Sequence, residues 1–101
     1  MNPAPFFSVE SDTMGTLRVS GAISFANAAR ALTQVPQAPR AAAMEIDLSA
    51  LENSDSATLA VLIAWAAAVN KRGATLRYRR APQGLRNLAR LCDVEGLLGL
   101  A

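Results

Sequence analysis

The sequence predicts an α/β fold in which a mixed sheet of about four strands carries three to four helices. Short segments with an apolar residue at every second position alternate with longer segments of helical period. Apolar residues make up 51% of the 101 residues, enough for a packed core. A chain of this length ordinarily forms one domain. We therefore expect a single domain over residues 1–101, with a loose N-terminus at residues 1–5.

Two segments near the N-terminus predict a β-hairpin. Residues 6–10 and 16–20 have the composition of strands, and a polar stretch with a glycine, residues 12–15, separates them. In the second segment Leu17 and Val19 alternate with polar residues, which is the period of a half-buried strand.

A helix and a third strand are expected next. Ser24 is a suitable N-cap for a helix over residues 25–32. Its expected buried positions are Phe25, Ala28, Ala29 and Leu32. A proline-containing linker, residues 34–40, leads to a strand over residues 43–48. The apolar face of that strand consists of Met44, Ile46 and Leu48.

The second half of the chain predicts helix, strand, helix and a short end piece. A long helix over residues 56–71 stops at Gly73, and residues 75–79 form a strand with Leu76 and Tyr78 facing inward. Pro82 suits the first turn of another helix. The core positions of that helix are expected to be Leu85, Leu88, Ala89 and Cys92. The apolar tail, residues 94–100, is expected to pack back onto the body.

The composition argues against catalysis. The chain has no histidine, which removes the commonest general base and the commonest metal ligand near neutral pH. With a lone cysteine, Cys92, neither an internal disulfide nor a cysteine zinc cluster can form. Neither a P-loop nor a G-x-G-x-x-G motif occurs. We therefore predict that the protein is not an enzyme and that it uses no cofactor and no metal.

The apolar segments predict a cytoplasmic protein. The N-terminus has neither a positive region nor a long apolar stretch, so a signal peptide is not expected. The longest apolar run, residues 59–69, is far shorter than the roughly 20 residues of a membrane span. We expect this run to be a buried helix, and membrane association to occur only through a partner.

Positive charge is concentrated in the second half of the chain. No acidic residue lies between Ser56 and Cys92, although seven of the ten cationic residues do. This asymmetry is typical of a face for an acidic partner or an anionic membrane, and equally of a solvated face. Nucleic acid is not an expected partner, because the net charge is only +2 and alternation turns Tyr78 inward.

The helix over residues 56–71 is apolar on both sides. One side is an ordinary core stripe, composed of Leu59, Leu62, Ile63, Ala66 and Val69. The opposite side, with Thr58 and Trp65 at its margin, consists of Ala57, Ala60, Val61, Ala64 and Ala68. We interpret this second side as a docking surface with Trp65 as its aromatic anchor. The alternatives are that alanine is present as a helix former and that Trp65 folds against the last strand.

The loop before this helix resembles that of a known family. A strand ends in Asp47-Leu48-Ser49, and Asp55-Ser56-Ala57-Thr58-Leu59 leads into the helix. This pattern is similar to the STAS domain, in which an aspartate and a hydroxyl residue precede a glycine and a leucine. Here Ala57 and Thr58 lie between Ser56 and Leu59, and the glycine that usually precedes the leucine is absent. The resemblance extends from Leu17 to Leu98 and implies a STAS-like fold.

The resemblance also implies a function. Free-standing STAS proteins of this size include anti-sigma-factor antagonists and the small cytoplasmic subunit of Mla-type phospholipid ABC transporters. The alanine-rich helix and the spacing of Leu85, Leu88 and Leu91 look more like the transporter subunit. The implied partner is the ABC ATPase and, through it, the permease, while self-association stays open.

Ser56 matches the hydroxyl position of the family. It is expected to contact the partner or to be phosphorylated as a switch. Asp55 and Ser56 also suit the cap and first turn of the helix, where they satisfy backbone N–H groups. A phosphate at Ser56 would meet the positive end of the helix dipole while adding about two negative charges to the docking surface.

Overall fold

The computed structural model describes residues 7–11, 16–36, 43–52 and 55–98. In chain order, the elements are β1 (Phe7–Ser11), β2 (Leu17–Gly21), α1 (Ala28–Thr33), β3 (Ala43–Leu51), α2 (Ser56–Lys71), β4 (Thr75–Arg79), α3 (Gln83–Leu91) and α4 (Glu95–Leu98). This order confirms the predicted α/β class, with four strands and four helices among the described residues.

The four strands form one mixed sheet in the spatial order β1-β2-β3-β4. β1 and β2 pair antiparallel, as the hairpin prediction requires, with Val9 opposite Val19. β3 pairs parallel with β2 and with β4. Helix α1 therefore connects one parallel pair and α2 connects the next, which is the connection that parallel strands need.

The helices cover one face of the sheet. Inward-facing strand residues such as Val19, Ile46 and Tyr78 belong to a single buried cluster with residues from every helix. The helical members include Ala31, Leu62, Trp65, Leu85, Ala89 and Leu98. The other face of the sheet presents polar side chains, including those of Arg18, Glu45 and Arg79. One face is thus apolar and packed, as alternation along the strands predicts.

The boundaries of α2 and β4 agree with the sequence prediction at both ends. Gly73 follows α2 with a φ of +86°, the left-handed conformation that glycine adopts readily beyond a helix end. Its N–H donates to the carbonyl oxygen of Asn70 at 3.0 Å. The predicted face of Met44, Ile46 and Leu48 is buried as expected. β3 continues to Leu51, three residues beyond the predicted strand.

The prediction for the first helix was wrong at its start and for its buried face. Asn27, not Ser24, precedes α1, and Ala31 is its buried residue. Phe25 is 76% exposed and Leu32 is 45% exposed. The Asn27 side chain accepts from Ser24 N–H at 2.9 Å and donates to the Ala22 carbonyl at 2.8 Å. These bonds hold residues 22–27 in a turn, which competes with helix formation.

Two details near the C-terminus also differ from the prediction. Cys92 is exposed, because it lies just beyond the end of α3 and not on its buried stripe. In the tail, Leu98 is fully buried as expected, whereas Leu97 is 67% exposed. The predicted loose N-terminus, the turn at residues 12–15 and part of the proline-containing linker lie outside the described residues.

Candidate functional site

The N-terminus of α2 is fixed by a reciprocal cap. The Asp55 side chain accepts a hydrogen bond from Thr58 N–H at 3.0 Å, and Asp55 N–H donates to Thr58 Oγ1 at 3.2 Å. This is a capping box, in which two backbone N–H groups obtain side-chain partners. It typically contributes about 1 kcal/mol to stability. The predicted role of Asp55 as the N-cap is therefore confirmed.

Thr58 also joins this helix end to the rest of the fold. Its hydroxyl is fully buried and donates to the carbonyl oxygen of Ile23, in the loop between β2 and α1. The segment that contains Phe25 is thereby brought to the start of α2. Thr58 therefore stabilises the fold through a buried hydrogen bond and is not part of the surface.

Ser56 is the first residue of α2, and it is exposed. The positive end of the helix dipole lies at this terminus. A phosphate added to Ser56 would find favourable electrostatics there, although the neighbouring Asp55 carboxylate would repel it. A kinase or a partner protein can approach this hydroxyl without opening the core.

The predicted docking face of α2 was partly wrong. Trp65 is fully buried, and so are Val61 and Thr58, while Ala57 is 4% exposed. These four residues cannot contact a partner in this conformation. Ala64 and Ala68 are half-buried, whereas Ala60 and Ser56 are exposed. The structure therefore separates the predicted site residues into a buried group and a group near the solvent.

Trp65 is buried because α1 covers the side of α2 that the sequence suggested was free. Its indole Nε1 donates to the Ala31 carbonyl at 2.9 Å. On β1, the ring of Phe7 lies 6.3 Å from that of Trp65, in a tilted arrangement. The indole thus fills the space between α1, α2 and the sheet. The ring is packed on all sides, and its N–H group has a hydrogen-bond acceptor in the core.

The solvent-facing stripe of α2 contains Ser56, Ala60, Ala67, Asn70 and Lys71. Ile63 and Ala64 lie half-buried at its two margins. With 100° between successive residues, the exposed stripe is rotated away from the predicted docking side and toward the predicted core stripe that included Ile63. The stripe carries no charge before Lys71. Its small side chains allow the backbone of another protein to approach closely.

Sequence reasoning missed that Phe25 is exposed. Phe25 follows Ser24 in a turn, where the Ser24 hydroxyl accepts from Ala26 N–H at 3.2 Å. The signal that could have revealed it is Asn27, a strong N-cap residue. A helix that begins after Asn27 leaves Phe25 outside the helical stripe. Ser56 and Ala60, the first two residues of the exposed stripe, define what we call the N-terminal face of α2.

Three of the cationic residues in the second half of the chain form ion pairs. Arg79 pairs with Glu45 at 3.0 Å, Arg80 approaches Asp47 at 3.6 Å, and Arg90 lies 3.9 Å from Glu95. The first two pairs lie at the open face of the sheet, and the third lies at the end of α3. Tyr78 is buried, as predicted. Three of the seven cationic residues in this stretch are thus paired with carboxylates.

Asp47 is held ionised on the open face of the sheet. Partial burial is the largest single influence on this carboxyl group and raises its pKa, whereas hydrogen bonds from the Ser49 hydroxyl and amide lower it. The Ser49 amide bond measures 2.8 Å. With the charges of Arg80 and Arg18 added, the pKa of Asp47 lies below its usual 3.8. This aspartate is engaged in structural contacts.

No group of three His, Cys, Asp or Glu residues in the described part of the chain is arranged to hold a metal ion. Among those same residues, no helix has both the length and the apolar character to cross a bilayer.

A family model described as "Mlab, STAS domain" matches residues 7–99 of the sequence. This chain belongs to the STAS domain family. The match covers every described helix and strand, so the resemblance that the Asp55-Ser56 loop indicated is confirmed. In this STAS domain Ser56, which the resemblance assigned to the hydroxyl position, lies at the exposed start of α2.

Solved structures agree with this STAS fold. One is the STAS domain of an antisigma-factor antagonist from Rhodobacter sphaeroides, with a TM-score of 0.54 and 19% identity. That comparison covers 77% of this chain and 88% of the other. Another is an anti-sigma factor antagonist from Mycobacterium paratuberculosis, with a TM-score of 0.50 and 22% identity. It covers 92% of this chain and 81% of the other. A comparison with curated protein sequences gives no match.

Proposed function

We propose that this chain is a non-catalytic STAS subunit of an Mla-type phospholipid ABC transporter. It binds the ATPase of the transporter and stabilises or regulates it, and so helps to maintain the lipid asymmetry of the outer membrane. The observation that carries the proposal is the match to the Mlab family model over residues 7–99. The subunit would lie in the cytoplasm, peripheral to the inner membrane through its partner, and would leave ATP hydrolysis to that partner.

The N-terminal face of α2 is the docking surface in this proposal. Phe25 is 76% exposed, and it lies two residues beyond Ile23, whose carbonyl oxygen accepts from the Thr58 hydroxyl. An exposed aromatic side chain is a typical interface anchor. Phe25 therefore replaces Trp65 as the aromatic residue that we expect to contact the ATPase.

The Ser56 hydroxyl and the N-terminus of α2 form the polar centre of this surface. Ser56 can donate a hydrogen bond to an acceptor on the partner, and the N-terminus of α2 favours a partner carboxylate or phosphate. Asp55 is committed to its cap with Thr58, so its carboxylate is only partly available. We expect binding to depend on the shape around Ala60 and on the Ser56 hydroxyl together.

Affinity purification from the membrane fraction of the native host tests the proposal. The tagged wild-type chain is compared with Ala60→Glu, and Ala29→Glu is the matched control because Ala29 is an exposed alanine on α1. We expect the wild type and Ala29→Glu to recover an ABC ATPase with its permease, and Ala60→Glu to lose both. Failure of the folded wild type to recover an ATPase would contradict the proposal.

The second candidate function is an anti-sigma-factor antagonist switched by phosphorylation. The exposure of Ser56 at the start of α2 favours it, because a kinase can reach this hydroxyl. In that case the same purification, made from the soluble fraction, recovers a kinase-like anti-sigma factor. Phosphate on Ser56, detected by mass spectrometry and absent from Ser56→Ala, would accompany it.

A further inference from the structure

The last strand of the sheet has a free edge. Within the described part of the chain β4 pairs with β3 alone, because it stands at the end of the order β1-β2-β3-β4. The N–H and C=O groups on its other side can therefore accept an added strand. This edge is separate from the N-terminal face of α2, which lies at the opposite end of that helix.

A groove runs along this edge. It is bounded by α2, β4 and α4, and its lining residues are Ile63, Ala66, Ala67, Asn70, Thr75, Leu76, Arg77, Gly96 and Leu97. Side chains of a strand alternate between the two faces of a sheet, so Leu76 faces the helices while Thr75 and Arg77 face the other way. A groove that touches all three follows the backbone of the free edge.

The walls of the groove are apolar, and one of its rims is positive. Leu97 is 67% exposed, and Leu76, Ile63 and Ala66 are half-buried. Arg77 is exposed, and among the described residues it has neither an ion pair nor a hydrogen-bond partner. An apolar floor beside an unpaired guanidinium is complementary to a segment that alternates apolar and acidic residues.

The same charge disfavours a second copy of this chain at this edge. Pairing β4 with β4 would bring Arg77 and Arg79 of one copy beside the same residues of the other. Like charges on paired strands are destabilising. Pairing of β4 with β4 of a second copy is therefore disfavoured, whereas a strand of negative charge can still pair with this edge.

We propose that the free edge of β4 binds an extended, acidic segment of a partner protein. The segment adds a fifth strand along Thr75–Arg77, places an apolar side chain against Leu76 and Leu97, and places a carboxylate against Arg77. Main-chain hydrogen bonds supply affinity in this mode, and the side-chain pockets supply selectivity.

The test uses a fluorescent eight-residue peptide of alternating valine and glutamate, with its lysine-for-glutamate counterpart as the control peptide. We expect the acidic peptide to bind the full chain, as measured by fluorescence anisotropy, and the lysine peptide not to bind. Bound peptide should slow hydrogen exchange at the amides of residues 75–77. Equal binding of both peptides, binding of neither, or unchanged exchange at those amides would overturn the proposal.

Matched variants locate the site. Leu97→Ser should weaken binding of the acidic peptide, whereas Leu91→Ser should not, because Leu91 is 84% exposed and lies outside the groove. Arg77→Glu should weaken it roughly tenfold, while Arg77→Lys retains it. Circular dichroism checks that each variant is folded. If sedimentation showed a dimer that Leu97→Ser dissociates, the edge would belong to a second copy and the proposal would be wrong.

Discussion

The indole Nε1 of Trp65 donates a hydrogen bond to the Ala31 carbonyl oxygen at 2.9 Å, which ties α1 to α2 inside the core. Trp65 is the only tryptophan of the chain, so its fluorescence reports on this contact alone. The side chain is fully buried against Phe7 and the helices. A residue in this position stabilises the fold and has no surface to offer a partner.

Trp65→Phe should lower the free energy of unfolding by about 1–3 kcal/mol, because it removes the hydrogen bond and part of the buried volume. Urea unfolding followed by far-ultraviolet circular dichroism measures the change. In the wild type, the fluorescence of Trp65 should resist quenching by acrylamide. Ready quenching, or unchanged stability of Trp65→Phe, would contradict the position assigned to this indole.

Thr58→Val should destabilise the chain by about 2 kcal/mol. The substitution keeps the shape of the side chain but removes the hydroxyl that serves the Asp55 cap and the Ile23 carbonyl. Thr58→Ser is the matched control, because it retains both hydrogen bonds. It should lose less stability than Thr58→Val. Urea midpoints compare the two variants, and equal losses would show that the hydroxyl does not carry the effect.

Tyr78 should remain protonated at alkaline pH for as long as the chain is folded. Burial raises the pKa of its phenol well above the usual 10.0, and its hydroxyl donates to the Leu62 carbonyl at 2.7 Å. Because the folded pKa is the higher one, the stability that this group contributes is complete below pH 10 and decreases as the pH rises further.

Tyr78 is the only tyrosine, so a single absorbance titration follows it. We expect tyrosinate to form together with loss of the circular-dichroism signal, and not before it. Tyr78→Phe should show a smaller loss of stability between pH 9 and pH 11 than the wild type. Titration near pH 10 in a folded chain would contradict the burial of this side chain.

Ser56→Glu should leave the fold intact and weaken partner binding. A carboxylate at the start of α2 interacts favourably with the helix dipole, by about 0.3–1 kcal/mol, so the thermal midpoint should change little or rise. The added charge changes the centre of the N-terminal face of α2. Ser56→Ala separates loss of the hydroxyl from gain of charge, and affinity unchanged in Ser56→Glu would exclude a phosphorylation switch at this residue.

Elements with a strong repeating pattern were predictable from the sequence. The limits of α2 and β4 follow from the Asp55 cap, from Gly73, and from the alternation of Leu76 and Tyr78. Local patterns do not show which side of a helix another helix will cover. The sequence therefore left two positions open for Trp65, a docking surface or the last strand, and neither includes the contact with α1.

The start of α1 was missed because two capping residues compete. Ser24 and Asn27 are both suitable N-caps, and hydrogen bonds of the Asn27 side chain to residues 22 and 24 decide between them. Moving the helix start from one to the other turned Phe25 from an expected core residue into an exposed one. The aromatic residue that we propose for partner contact is therefore Phe25 and not the buried Trp65.

Photo-crosslinking in the native host tests the docking surface most directly. Benzoyl-phenylalanine replaces Ala60 on the N-terminal face of α2 or, as the control, Ala29 on α1, and each crosslinked product is identified by mass spectrometry. We predict that position 60 captures an ABC ATPase and that position 29 does not. Capture of the ATPase from position 29 alone, or of an anti-sigma factor from position 60, would contradict the account.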